Sequence, residues 1–154
     1  MSDNTPLAIS DAESVYNAVY QMLKEFTGYP EDFTADSETI KWGSLAKEGS
    51  CIGLFPMQGA FYLNQYVSGS YVAQFPFQLA YKSSPTENIA KIDVTKMLEN
   101  LGQWMESDVT VNFSDNKTQL QSFKRVSPVL TVAQDDDSTT YAINIQLNYF
   151  HKKG

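Results

Sequence analysis

Residues 70–82 alternate without a break, and this constrains the chain more than any other feature. Tyr71, Ala73, Phe75, Phe77, Leu79 and Tyr81 fall on one side, and Val72, Gln74, Pro76, Gln78 and Lys82 on the other. A period of two over that length is a strand with one buried side, the other side meeting water or a partner. Residues 141–150 repeat the pattern, with Tyr141, Ile143, Ile145, Leu147 and Tyr149 set against Ala142, Asn144, Gln146 and Asn148. Two such strands imply a sheet whose apolar side must be covered by other elements.

Two helices supply the cover. Ser10-Asp11-Ala12-Glu13 has the form of a capping box, and Ala12, Val15, Val19, Met22, Leu23 and Phe26 recur at helical steps until Gly28 and Pro30 stop them. The spacing predicts a helix over residues 10–27, with Tyr16 and Tyr20 at the margin of its stripe. Val94, Met97, Leu98, Leu101, Trp104 and Met105 define a second stripe, interrupted by Gly102 and ending near Glu106; either Ser84-Pro85-Thr86-Glu87 or Asp93 caps its start. Short strands are expected at 40–42 and 52–55, and a hairpin joins 61–67 to 70–82 through Ser68-Gly69. A further strand is expected at 109–113, then a polar stretch through 114–121, then a closing hairpin of 129–133 with 141–150. Pro76 cannot donate to a ladder, which predicts an edge strand or a bulge at that point. The expected fold class is α+β: one antiparallel or mixed sheet with two amphipathic helices packed on one face, in a single domain over 1–154 with its ordered core at about 9–150.

Composition removes several functions. The chain of 154 residues carries 11 Lys plus Arg against 18 Asp plus Glu, a formal charge of -7, which argues against a surface built to neutralise phosphates. The one cysteine, Cys51, excludes an internal disulfide framework and reads as a buried structural thiol. The N-terminus lacks the basic start and apolar run of an export signal, and no stretch has the length of a membrane span, so a soluble protein in a reducing cytosol is expected. His151, the one histidine, lies three residues from a charged end expected to fray, a poor place for a catalytic base. Trp42 and Trp104 read as core residues. Scattered glycines form no phosphate loop, and Asp135-Asp136-Asp137 lacks the calcium-loop pattern and reads as a solvated hairpin tip able to orient the protein toward a basic surface. No catalytic, cofactor or metal residues are nominated, and the chain is not expected to be an enzyme. A small enzyme or ligand-binding module using Tyr71, Phe75, Phe77 and Tyr81 in a concave sheet face is the reading from another class.

The segment from Tyr66-Val67-Ser68-Gly69-Ser70 through Gln74-Phe75-Pro76-Phe77-Gln78 to Tyr81, then Ser84-Pro85-Thr86, the Leu98-Glu99-Asn100-Leu101-Gly102-Gln103-Trp104-Met105 helix and the 141–150 strand resembles a family of phage and prophage minor capsid proteins from Gram-positive hosts. Over residues 9–150 the order of elements is similar to that of siphophage tail terminators. The resemblance implies a virion structural protein of the tail or neck, assembled in the bacterial host cytoplasm. Copies would close into a homo-oligomeric ring, typically a hexamer, that caps the tail tube, stops its polymerisation and presents a joining surface to head-tail connector proteins. Its partners would be itself, the major tail tube protein and the connector, with DNA crossing the channel without specific binding and no membrane involved. Residues 43–57 carry no motif that separates this role from that of a head-completion or connector adaptor protein. A ring joint needs two different complementary patches on each copy. Phe75, Pro76 and Gln78, with Asn144, Gln146 and Asn148 and the Asp135, Asp136 and Asp137 tip, are the interface candidates.

Overall fold

The apolar stripe of the first helix, α1 (Ile9–Leu23), buries Val15, Ala18, Val19, Met22 and Leu23 in the core. The helix stops four residues short of expectation because the chain folds back on its own end: the Tyr29 hydroxyl donates to the Leu23 carbonyl at 2.6 Å, satisfying an acceptor that the helix leaves open. Phe26 then packs on Tyr29 and on Trp104, ring centroids 5.0 and 5.3 Å apart. The computed structural model describes residues 9–30, 33–45, 49–57, 61–83, 91–107, 109, 111, 113, 117–134 and 138–152. After α1 the elements are β1 (Ile40–Trp42), β2 (Cys51–Pro56), β3 (Phe61–Gln65), β4 (Tyr71–Ser83), α2 (Lys91–Glu106), β5 (Thr118–Arg125), β6 (Leu130–Gln134) and β7 (Thr139–His151). The fold is α+β, one mixed sheet of seven strands with two helices.

β4 and β7 pair antiparallel over all 13 residues, from Tyr71↔His151 to Ser83↔Thr139. Each carries two short strands end to end on its outer edge: β3 and β2 on β4, β5 and β6 on β7. β1 lies beyond β2 and pairs with it in parallel. Odd-numbered residues of β4 and β7, from Ala73 to Tyr81 and from Tyr141 to Tyr149, join the stripes of α1 and α2 in one hydrophobic cluster, to which no even-numbered residue of either strand belongs. Trp42 touches both Tyr16 of α1, at 4.9 Å, and Phe75 of β4, at 6.1 Å. At Gly102 α2 comes so close to the sheet that an added Cβ would lie 2.5 Å from Arg125 Cδ and 3.3 Å from Ile143 Cδ1, which accounts for the break in the stripe.

Pro76 corrects one expectation: it sits in a central strand. The Met57 amide donates to the Pro76 carbonyl at 3.0 Å, so the backbone of Pro76 turns toward the outer edge of β4 and away from β7. Pairing with β2 ends at Pro56↔Phe77 and pairing with β3 begins at Phe61↔Gln74. The missing donor therefore faces the seam between two short strands, where no ladder bond is lost. β7 has the matching seam at Asn144, whose amide donates to Ser127 Oγ at 3.0 Å and whose carbonyl accepts from Val126 at 2.9 Å.

The expected strand at 109–113 is absent at Val109, Val111 and Phe113, which instead pack half-buried against the core. The strand lies later, in the stretch read as polar. β5 has a bulge between Leu120 and Ser122, so Leu120 and Phe123 oppose Tyr149 and Leu147 on the same side although they are three positions apart. The Ser84-Pro85-Thr86-Glu87 cap and the Asp135-Asp136-Asp137 tip lie outside the described residues.

Candidate functional site

The even-numbered side of β4 and β7 carries five of the six strand candidates. Register sets Gln78 opposite Asn144, Pro76 opposite Gln146 and Gln74 opposite Asn148, and β5 continues two of these rows with Lys124 beside Gln146 and Ser122 beside Asn148. Gln78 Nε2 donates to Asn144 Oδ1 at 3.2 Å, and Gln146 Nε2 donates to Asn148 Oδ1 at 3.4 Å. Each amide offers two N–H donors and a carbonyl with two lone pairs, so one bond apiece leaves further capacity directed away from the core. Gln74, Pro76, Gln78, Asn144, Gln146 and Asn148 are all half-buried.

Phe75 is the exception among the candidates. It is 2% exposed and belongs to the core cluster, because odd parity puts it on the opposite side from Pro76 and Gln78. The same parity places Phe77 and Tyr81 in the core, filling with side chains the face that the ligand-binding reading had treated as concave. The alternation of residues 70–82 itself sets Phe75 on the side of Phe77 and Tyr81, opposite to Pro76 and Gln78.

The even side is not open along its whole length. At the level of β1 and β6, Gly53, Ala80, Ala142 and Thr140 are buried, and a Cβ on Gly53 would lie 2.7 Å from the Ser44 carbonyl oxygen and 2.9 Å from Leu45 Cδ2. The chain's own segment after β1 therefore covers the small-residue end. At the other end Tyr66 lies beside Phe150, ring centroids 6.4 Å apart. The amide block between them remains.

Charge is segregated in the fold. Among the described residues no Asp or Glu lies in a strand, and the charged side chains of the seven strands are Lys41, Lys82, Lys124 and Arg125. The described carboxylates lie in the helices and connections. This feature was present in the sequence but could be read only once the strand limits were known.

Cys51 is fully buried. His151 is not frayed: it ends β7, stacks on Tyr71 with centroids 5.0 Å apart and shares a 2.8 Å hydrogen bond between Nδ1 and Thr118 Oγ1, and the Lys152 amide extends the ladder to the Lys117 carbonyl. A cleft of about 390 Å³ lies between α2 and the β5–β6 connection, lined by residues that include Glu99, Glu106, Arg125, Val129 and Ile143. Its charged pair is clamped: Glu106 accepts from the Arg125 backbone amide and from Nε, both at 2.8 Å. The backbone bond chiefly, with the guanidinium, holds the Glu106 carboxyl below the usual carboxylate range. Among the described residues no group of three His, Cys, Asp or Glu side chains could hold a metal ion, and no helix is long and apolar enough to cross a membrane.

No family model and no curated protein matches the chain. Among solved structures, one whose name states no function is similar over 93% of this chain and 96% of its own length, at 12% identity and a TM-score of 0.48.

Proposed function

We propose that the chain is a phage virion structural protein that acts as a tail terminator, closing with copies of itself into a ring that caps the tail tube and offers the joining surface to the head connector. The observation that carries this reading is the amide block. Six half-buried residues without a carboxylate or an ammonium group among them lie on the two longest strands, outside the core cluster. Such a composition suits the centre of a protein interface, where charged side chains are depleted and hydrogen-bonding groups find partners. A surface meant only for water carries more Lys and Glu. The resemblance of the 66–81, 98–105 and 141–150 segments to phage minor capsid proteins gives the block its assignment to a virion joint.

The test is tail-tube polymerisation followed by electron microscopy, with and without the purified protein. Capped tubes of reduced length, each with the protein at one end, are expected. A Gln78→Glu/Gln146→Glu pair should abolish capping while the thermal unfolding midpoint stays close to that of the parent. Binding to isolated portal rings with no affinity for tube ends would move the chain to the connector; binding to neither would overturn the virion reading.

A further inference from the structure

We infer that neighbouring copies join edge to edge, β6 of one copy adding to β1 of the next so that the sheet continues across the joint; this rests on the ring proposed above. The register supplies the geometry. Lys41 of β1 pairs with Gly53, Gly53 with Ala80, Ala80 with Ala142 and Ala142 with Leu130 of β6, so the two opposite edges of the sheet end at the same level. Strand sense agrees as well. β1 is parallel to β2, and β2, β4, β7 and β6 are successively antiparallel, so β1 and β6 run in opposite directions. A head-to-tail copy thus presents β1 to β6 in the antiparallel sense, and a repeated head-to-tail joint is the kind that closes into a ring.

Of the two edges, β6 is exposed and unguarded, whereas β1 is a three-residue strand with Lys41 at its centre and Ile40 buried. All five residues of β6 (Leu-Thr-Val-Ala-Gln) are exposed, with Leu130 at 41% and Val132 at 46%. The strand has neither the lysine nor the proline with which soluble proteins blunt an edge. Among the described residues β6 makes backbone bonds to β7 alone, and β1 bonds to β2 and, through Ile40, to its own turn at Asp36. The matching level and opposite sense of β1 and β6 point to a second copy as the occupant. β6 carries no charged side chain and β1 carries Lys41 alone, so the two paired strands set no like charges opposite each other. The opposite end of the sheet is one strand narrower, β3-β4-β7-β5, so zipping β6 to β1 leaves β5 and β3 of adjacent copies apart.

Two single-cysteine variants test the joint, Leu130→Cys and Lys41→Cys, mixed in the presence of tail-tube ends and treated with a short bismaleimide; native Cys51 is fully buried and does not compete. A covalent dimer is expected in the mixture and not in either variant alone. Leu130→Lys/Val132→Lys, at exposed positions, should leave unfolding unchanged and remove both ring formation and capping. If the parent caps tubes while the mixture yields no dimer and the double-lysine variant caps normally, the edge joint is overturned and the terminator reading stands. If the parent forms no ring and caps no tube, both fall together.

Discussion

The two sides of β4 and β7 are built from the same backbone and could hardly differ more in composition. Odd positions hold Phe75, Phe77, Leu79, Tyr81, Ile143, Ile145, Leu147 and Tyr149, each 2% exposed or less. Even positions, which the core cluster excludes, hold amides, a proline and small residues along the middle of the strands, with Val72, Lys82 and Phe150 toward their ends. The contrast separates two demands on one strand. Burial selects the odd side, since each large apolar side chain removed from water contributes roughly 1.5–3 kcal/mol. Stability makes no comparable demand on Gln78, Asn144 or Gln146, and the association proposed above would account for their uncharged character.

Substitutions across this divide should give a steep gradient. Phe77→Ala on the odd side removes a ring from the core and should cost about 3–5 kcal/mol in denaturant unfolding. Gln146→Ala, in the row next to it, should shift stability by about 0.5 kcal/mol or less. Equal losses at the two positions would break the comparison. Gly53→Ala probes the covered end of the even side, where the new methyl meets the Ser44 carbonyl and should cost about 1–3 kcal/mol. A neutral result there would mean that the even side is open along its full length.

Smaller effects sharpen how the helices are tied to the sheet. Tyr29→Phe removes the hydroxyl that closes α1 and should cost about 1 kcal/mol. Burial raises the Tyr29 pKa above the ordinary phenolic value of 10.0, so its contribution is complete below pH 10 and falls as the pH rises further, a slope that Tyr29→Phe should remove. Glu106→Gln should cost less than about 1 kcal/mol, since the Arg125 clamp lies at the surface. The Glu106 pKa is lowered, so its stabilisation is present above the ordinary carboxylate range and lost as the pH falls through it; an acid titration of the variant should be flatter there.

Periodicity made the long strands and both helical stripes legible, because burial on one side writes itself into the sequence. It failed where geometry interrupts the period. The bulge at Leu120 and Ser122 hid β5, and the seam opposite Pro76 let a proline occupy a central strand against the usual rule. Tyr29, six residues beyond its acceptor at Leu23, closes a helix whose end the sequence marks later, at Gly28 and Pro30. His151 gained order from Tyr71 and Thr118, contacts across strands that no local pattern announces. At the candidate site the parity of Gln78, Asn144, Gln146 and Asn148 was readable in advance, whereas the covering of Gly53 by Ser44 and Leu45 was not.

Thiol labelling of a Gln146→Cys variant tests the reserved character of the even side most directly. In the free protein this half-buried position should react with a maleimide at a measurable rate, and on capped tube ends the rate should fall by at least about tenfold as a partner excludes water from the block. An unchanged rate on fully capped tubes would contradict the account.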